Sequence, residues 1–205
     1  MSYLPRQRVV RKFLAWQCRM STAWRHRWLR FVTLPHQWAG RLEVGNACRF
    51  DAPLRCDGLG LVRLHARVWI GYRPAPRSGS GEILLQARTA RAVIEVGEGS
   101  SFSNNCTVVA VGRIQIGRRC LIGDHVAIFD TDFHRTEPDR RADPDAPAAD
   151  VTLADNVWLG SRVLVLKGVT IGRNSVVAAG SVVTSNIPEN VIAAGVPSRV
   201  IRSIA

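Results

Sequence analysis

One histidine in this chain of 205 residues has neighbours that suggest acid–base chemistry. His134 follows the run Asp130-Thr-Asp-Phe and precedes a stretch rich in aspartate and proline that ends near Asp150. An imidazole exchanges its proton near neutral pH, so a histidine at the foot of a surface loop is a candidate general base. The neighbouring carboxylates of Asp130 and Asp132 are candidate substrate-binding groups. They could instead orient the imidazole or neutralise Arg135, and the sequence does not separate these roles.

The elements that position His134 are repeats on both sides of it. A hydrophobic residue, aliphatic except for Phe102, returns at every sixth position in two blocks, apart from an eight-residue step between Val108 and Ile116, and Gly, Asn, Ser or Asp fill many of the positions between. The first block has Val96, Phe102, Val108, Ile116, Ile122 and Ile128, and the second has Leu153, Leu159, Val165, Ile171, Val177 and Val183. A period of six is not that of a helix or of an alternating strand. It predicts triangular coils of short strands, each with one aliphatic side chain inside.

The repeats also predict how the chain is organised. Residues 42–205 are predicted to form the coiled domain, with excursion loops near residues 73–81 and 131–150, where Pro, Gly, Ser and Asp interrupt the period. Residues 1–41 are predicted to form a basic, Trp-rich helical arm, because their apolar residues recur at helical spacing. Three readings of this arm stay open: packing on the coils or a neighbouring subunit, contact with an anionic membrane surface, or binding of nucleic acid.

Charge and cysteine usage exclude several classes of protein. The net charge is +12, but residues 1–42 hold nine basic residues and no acidic one, whereas residues 94–205 hold eleven basic and twelve acidic residues. The coils therefore do not resemble a nucleic-acid-binding surface. Five cysteines without a CxxC pair predict neither a metal site nor a disulfide framework. Without an apolar run of about 20 residues or a signal-like start, we expect a cytoplasmic protein, or one held at the inner face of the cytoplasmic membrane.

Four motifs carry a resemblance to a known family. They are Val157-Trp-Leu-Gly-Ser161, Lys167-Gly-Val-Thr-Ile-Gly172, Val177-Ala-Ala-Gly-Ser-Val-Val-Thr184 and Gly195-Val-Pro-Ser-Arg199. In combination, over about residues 94–205, they resemble the bacterial hexapeptide-repeat acyltransferases, most of all the branch that acetylates sugars and saccharides. The resemblance implies an all-β fold, a left-handed parallel β-helix, here with an N-terminal helical arm and a C-terminal tail. It also implies transfer of an acetyl group from acetyl-CoA to a sugar hydroxyl, in surface polysaccharide or glycolipid biosynthesis.

The resemblance assigns roles to individual residues. His134 matches the family's general base, and Asn105 of Asn104-Asn105-Cys106 matches an asparagine that lines the site, although Asn is also common at coil corners. The residues implied to contact acetyl-CoA are Ser161, Ala179, Thr184, Arg199 and Arg202. Ser185 stands where many relatives carry a lysine, which removes one expected phosphate contact. Relatives of this kind are homotrimers with sites between subunits, so His134 alone is not expected to complete a site.

Three alternative functions were weighed against sugar O-acetylation. An N-acetyltransferase acting on an amino sugar nucleotide or an antibiotic stays open, because no acceptor-specific motif stands out. A hydratase of the γ-carbonic anhydrase type requires three imidazoles on zinc. The five histidines of this chain do not provide such a set in neighbouring coils. A non-catalytic β-helix scaffold also stays open, and it predicts no effect of replacing His134 or Asn105.

Overall fold

The computed structural model describes residues 41–204, which form twenty strands and no helix. The strands build three sheets, the faces A, B and C of a triangular coil. Face A contains β1 (Leu42–Val44), β4 (Leu61–Leu64), β7 (Val93–Val96), β10 (Arg113–Ile116), β13 (Val151–Leu153) and β16 (Thr170–Ile171). Face B contains β2 (Arg49–Phe50), β5 (Trp69–Ile70), β8 (Ser101–Phe102), β11 (Leu121–Ile122), β14 (Trp158–Leu159), β17 (Val176–Val177), β19 (Val191–Gly195) and β20 (Ser198–Ser203). Face C contains β3 (Leu54–Gly58), β6 (Ile83–Ala87), β9 (Thr107–Ala110), β12 (Ala127–Phe129), β15 (Leu164–Val165) and β18 (Val182–Val183).

The six-residue period places one aliphatic side chain of each short strand inside the coil. Equivalent residues of successive coils pair in register, as in Leu153 with Ile171, Leu159 with Val177, and Val165 with Val183. All six of these side chains are buried. Burying an aliphatic side chain stabilises the fold by about 1.5–3 kcal/mol, so this stack is the main source of stability. The predicted left-handed parallel β-helix is confirmed.

The corners between the faces need unusual backbone conformations. Four asparagines at corners have φ in the left-handed region: Asn105, Asn156, Asn174 and Asn190. Asparagine tolerates this conformation better than most residues. At Gly160 the constraint is contact between coils, because a Cβ atom there would lie 2.6 Å from the backbone nitrogen of Ala179. Polar residues at corners therefore serve the fold as well as any chemistry.

Two excursions leave the coil without breaking the stack. Residues 71–82 lie between β5 and β6, and residues 130–150 lie between β12 and β13. Across the second excursion, Ile122 of β11 still pairs with Leu159 of β14. At the end of the coil, β20 folds back antiparallel on β19. The predicted arm, residues 1–41, lies outside the described residues except for Arg41, so the proposed division of the chain stays a prediction.

The outer surfaces of the faces differ in polarity. Face A presents a polar ladder of Glu43, Arg63, Glu95, Gln115, Thr152 and Thr170. Face C presents a largely apolar ladder of Leu84, Thr107, Ala127, Leu164 and Val182. Within residues 41–204 there is no helix long and apolar enough to cross a membrane.

Candidate active site

His134 lies in the second excursion, five residues after the end of β12, and is exposed. Its Nδ1 atom lies 2.9 Å from the carbonyl oxygen of Arg141. A carbonyl oxygen only accepts, so Nδ1 must carry the proton and donate it. In the neutral ring Nε2 then has a free lone pair, and it is the atom that can take a proton from a substrate. The backbone of the loop thus fixes the tautomer that a general base requires.

The loop that holds His134 is closed at its base. Thr131 and Ala148 form an antiparallel bridge, and the backbone nitrogen of Asp132 donates to the carbonyl oxygen of Pro147 at 3.0 Å. Further out, Arg135 pairs with Asp145 at 2.8 Å. The loop is therefore held at its base by backbone pairing and further out by ion pairs.

The two aspartates beside His134 point to other partners. Asp130 is fully buried, and its carboxylate accepts hydrogen bonds from the backbone nitrogens of Val111 and Gly112. Burial raises the pKa of Asp130, although these two amides act in the opposite direction. The geometry gives Asp130 a structural role in holding the backbone of Val111 and Gly112, and its predicted contact with substrate stays a prediction. Asp132 is partly exposed and pairs with Lys167 at 2.7 Å, so its predicted contact with substrate stays a prediction.

Asn105 and its neighbour hold the first excursion in place. The Asn105 side chain donates to the carbonyl oxygen of Ser78 at 2.8 Å and accepts from the backbone nitrogen of Ser78 at 3.1 Å. Asn104 is fully buried and donates to the carbonyl oxygen of Tyr72 at 2.8 Å. Both asparagines therefore fix residues 71–82, and a role for Asn105 in catalysis stays a prediction.

Asn105 and His134 lie on opposite edges of face C. Asn105 precedes β9, at the corner between faces B and C, whereas His134 follows β12, at the corner between faces C and A. The four residues of β9 span about 13 Å between these corners. One chain therefore does not bring the two predicted residues together.

Three of the five residues predicted to contact acetyl-CoA lie at the same two corners, and the other two, Arg199 and Arg202, lie on β20. Ser161 and Ala179 lie one coil apart at the B–C corner, where the backbone nitrogen of Gly180 donates to the carbonyl oxygen of Ser161 at 2.8 Å. Thr184 follows β18 and lies exposed at the C–A corner, as does Ser185. An extended ligand along the B–C corner would meet the small side chains of Ser161 and Ala179 at these two levels, next to the exposed side chain of Arg162.

Ser161 belongs to a polar network that the sequence did not predict. Its hydroxyl donates to the carboxylate of Asp124, and the same carboxylate lies 3.1 Å from Nδ1 of His125. Partial burial acts to raise the pKa of Asp124, but these two hydrogen bonds outweigh it, so the pKa is lowered from its ordinary value. Because the Ser161 hydroxyl donates its hydrogen atom in the hydrogen bond to Asp124, its oxygen can still accept a hydrogen bond from an N–H group.

Arg199 and Arg202 lie on β20, beyond the last regular coil. Their guanidinium groups donate to the neighbouring carbonyl oxygens of Ser198 and Ser203, at 2.9 and 3.1 Å. Neither forms an ion pair with a carboxylate in the described part of the chain. Two such guanidinium groups fit the phosphates of a nucleotide, since arginine binds phosphate through charge-assisted, often bidentate bonds.

A groove on the outside of face B was not predicted. It has a volume of about 400 Å³ and is lined mainly by apolar and aromatic side chains, among them Trp69, Tyr72, Leu121 and Trp158. Leu121 and Trp158 are 52% and 51% exposed, which is unusual for such side chains at the centre of a sheet. The sequence feature that indicates this groove is the large apolar residue just before an inward aliphatic residue, as in Trp69-Ile70 and Trp158-Leu159.

Two cysteines of the coil, Cys56 and Cys106, are not suited to nucleophilic attack. Cys106 is buried beside Asn105, and burial raises the pKa of its thiol to about 12. Cys56 is likewise buried, and burial raises its pKa to about 12. Because the thiolate is the nucleophile, these two residues are unreactive at neutral pH.

Comparisons with known proteins agree with this architecture. Residues 150–185 match the family model described as bacterial transferase hexapeptide, with six repeats. The galactoside O-acetyltransferase of Escherichia coli (strain K12) is 42% identical over 111 residues, which are 54% of this chain and 54% of that protein. That of Lactococcus lactis is 42% identical over 111 residues, 54% of this chain and 53% of that protein. The chain thus spans about half the length of the curated relatives it matches.

Solved structures extend the likeness over more of the chain. A galactoside acetyltransferase in complex with coenzyme A is 33% identical, with a TM-score of 0.55, and the match covers 74% of this chain and 66% of that one. A hexapeptide-repeat acetyltransferase from Vibrio cholerae, complexed with acetyl coenzyme A, has a TM-score of 0.60 over 91% of this chain and 79% of that one. At 22% identity, the latter supports the fold alone. Repeat motif, coil geometry and relatives together show that this chain belongs to the hexapeptide-repeat transferase family.

Proposed function

We propose that the protein transfers an acetyl group from acetyl-CoA to a hydroxyl group of a sugar or saccharide, with His134 as the general base. The observation that carries the proposal is the hydrogen bond from Nδ1 of His134 to the Arg141 carbonyl oxygen, at 2.9 Å. It leaves Nε2 as the proton acceptor and stabilises the ring after it has gained a proton. The galactoside acetyltransferases among the relatives support a sugar as the acceptor and coenzyme A as the carrier.

The reaction proposed for these groups balances without a covalent enzyme intermediate. Nε2 of His134 takes the proton of the acceptor hydroxyl as its oxygen bonds to the carbonyl carbon of the thioester. The carbon–sulfur bond breaks, and the proton passes from the imidazolium to the departing sulfur. A thiol nucleophile is not needed, in keeping with the buried cysteines.

Residues for both parts of the donor are available on the chain. Ser161 and Ala179 offer a narrow, unobstructed corner for the pantetheine arm, and the Ser161 oxygen can accept a hydrogen bond from one of its amides. Arg199 and Arg202 supply positive charge for the phosphates. Ser185 contributes no charge at the position where a lysine was expected, so we propose that these two arginines carry most of the phosphate binding.

We further propose that the active unit is a homotrimer. The proposed site residues divide between two corners of the same face, and the apolar outside of face C lies between them. If three copies pack face C around a threefold axis, the B–C corner of one copy meets the C–A corner of the next. His134 would then approach the aromatic groove and donor corner of its neighbour, and each site would need two chains.

A further part of the proposal concerns where in the cell the protein acts and which assembly process its acceptor belongs to. We propose that the acceptor belongs to surface polysaccharide or glycolipid assembly at the inner face of the cytoplasmic membrane. Support comes from the composition of residues 1–34, which combine eight basic residues with three tryptophans, Trp16, Trp24 and Trp28. Such a segment suits an anionic lipid surface. Deleting residues 1–34 should then lower binding to anionic vesicles, and unchanged binding would rule this part out.

The direct test compares wild type with His134→Ala, measuring thiol release from acetyl-CoA in the presence of galactosides and other saccharides. We expect a loss of about 10²- to 10⁴-fold in turnover, the usual contribution of a general base. His65→Ala is the matched control, because His65 is an exposed histidine paired with Glu95 on face A. Equal turnover in wild type and His134→Ala would refute the role of His134. Failure to bind CoA would refute the acetyltransferase itself.

A further inference from the structure

One end of the face B groove is strongly basic. Trp69 lines this end, and its Nε1 atom donates to the carboxylate of Asp51 at 3.2 Å. Its ring also contacts the ring of Tyr72 edge to face, with centroids 5.5 Å apart. These two contacts fix the aromatic wall at the end of the groove that lies towards the first coils.

Three arginines contact Asp51 at this end, two at its carboxylate and one at its backbone carbonyl oxygen. Arg49 pairs with Asp51 at 3.0 Å, and its guanidinium group lies 4.3 Å from the centre of the Trp69 ring. Arg73 lies 3.7 Å from the other carboxylate oxygen of Asp51. Arg77 donates at 3.4 Å to the backbone carbonyl oxygen of Asp51 and pairs with no carboxylate among residues 41–204.

The positive charge exceeds what Asp51 requires. The Asp51 side chain is only 2% exposed, and a buried carboxylate needs a charged partner, but one arginine is enough to balance its charge. The remaining two positive charges have no counterpart in this cluster. The side chains of Arg49 and Arg73 are 55% and 40% exposed, so their unused N–H groups face solvent.

The chemistry of these groups identifies what they would bind. Guanidinium groups match the geometry of carboxylates and phosphates, to which they form charge-assisted and often bidentate bonds. The apolar wall beside them excludes water and focuses the field of the arginines into the groove. Trp69 and Trp158 lie three strand positions apart on face B, about 14 Å at the usual spacing of strands. A saccharide along the groove could therefore place one unit at each tryptophan.

We propose that the arginines 49, 73 and 77 form a subsite for an oxyanion on the acceptor, so that the protein prefers an acidic saccharide over a neutral one. This inference rests on the proposed function, since it assigns the class of acceptor for the same site. The anionic group binds at the Trp69 end, and the hydroxyl to be acetylated lies farther along the groove. A carboxylate of a uronic acid and a phosphate ester share the required chemistry.

The test uses a matched pair of acceptors, trigalacturonic acid and its methyl ester, which differ in charge but not in the sugar backbone. Binding to the full chain is measured by calorimetry and acetyl transfer by thiol release. We expect the acid to bind at least about 10-fold more tightly than the ester, as for one or more charge-assisted bonds. Galactose 1-phosphate as competitor distinguishes the two sources of oxyanion: displacement of the acid indicates that a phosphate also binds in the subsite.

Arginine variants then locate the effect. Arg73→Gln and Arg77→Gln should each reduce the preference for the acid by about 10-fold or more. Because Arg77 pairs with no carboxylate in the described residues, its variant should fold even if Arg73→Gln does not. Arg113→Gln on face A is the control; it removes an equally charged, exposed arginine that pairs with Glu95 at 2.9 Å.

The outcomes separate this inference from the proposed function. Equal binding of acid and ester by wild type, or an equal loss in the Arg113 control, would overturn the subsite. After either of these outcomes, acetyl transfer to a neutral galactoside would still support the proposed function. Selective binding of the acid without acetyl transfer to any saccharide would support the subsite and refute the function.

Discussion

A complementation experiment tests whether each active site is shared between two chains. His134 follows β12 and Ala179 precedes β18, so they lie on opposite edges of face C and two strand positions apart along it. One variant, His134→Ala, lacks the base. The other, Ala179→Trp, places a large side chain at an exposed corner, where it obstructs the donor channel without disturbing the buried stack. Each variant alone should be inactive.

The expected activity of mixed trimers follows from the arrangement of the chains. The two variants are co-expressed with different affinity tags and purified over both, so that every trimer contains both kinds of chain. In a ring of three, whichever variant is present twice, one interface joins an intact His134 to an intact donor corner. The mixed trimer should therefore show about one third of wild-type turnover in the thiol-release assay.

A site contained within a single chain predicts no activity in the mixed trimers. If His134 acts on a donor bound to its own chain, every chain in the mixture carries one defect and no site is complete. Turnover at the level of the single variants, in mixed trimers verified by mass, would refute the shared site. Light scattering that finds monomers in the wild type would refute it as well.

Three further predictions concern single features of the chain. Leu164→Glu, on the apolar outside of face C, should convert the trimer to monomers in light scattering, whereas Thr170→Glu on face A should not; an unchanged trimer in both would exclude face C as the interface. Asp130→Ala should lower the free energy of unfolding by about 2–3 kcal/mol in chemical denaturation, because two backbone N–H groups lose their acceptor; an activity loss without destabilisation would instead support a contact with substrate. Asp124→Asn should raise the KM for acetyl-CoA about 3- to 10-fold with little change in kcat, because Ser161 loses its fixed orientation. Since the pKa of Asp124 is lowered in the fold, its stabilising contribution is present above the ordinary aspartate pKa of about 4 and is lost as the pH falls through the lowered value. The variant should therefore match wild-type stability only in acid, and a constant difference at all pH values would contradict this.

The stack of the coil was predictable because its constraint repeats along the chain. Inward positions must be aliphatic in every coil, so residues such as Ile171 and Val177 show the period directly. The same parity could have placed Asp130, since it lies two residues after the inward Ile128 and so points inward rather than towards solvent. As an acidic residue near a histidine, Asp130 suggests a role in chemistry, whereas its inward position in the strand determines its actual hydrogen-bond partners.

Contacts between residues far apart in the sequence cannot be predicted from the six-residue period. Asn105 and Asn104 fix the 71–82 excursion through hydrogen bonds to residues 27 to 32 positions earlier, and nothing in a six-residue repeat indicates such pairs. The groove on face B arises only when outward residues from four coils are placed side by side. Trp69 and Trp158 are far apart in sequence, and only the strand register brings them to one surface.

The regular coil fixes the distance between sites that lie at different levels of the solenoid. Between Leu153 and Val183, paired residues of successive coils are 18 residues apart, and each coil advances the helix by one strand spacing, about 4.8 Å. The level of Ser161 and the level of the β20 arginines are thus separated by a fixed number of coils. Inserting one 18-residue coil between them would increase their separation by one strand spacing, so under the proposed donor site a ligand of fixed length could no longer contact both Ser161 and the β20 arginines.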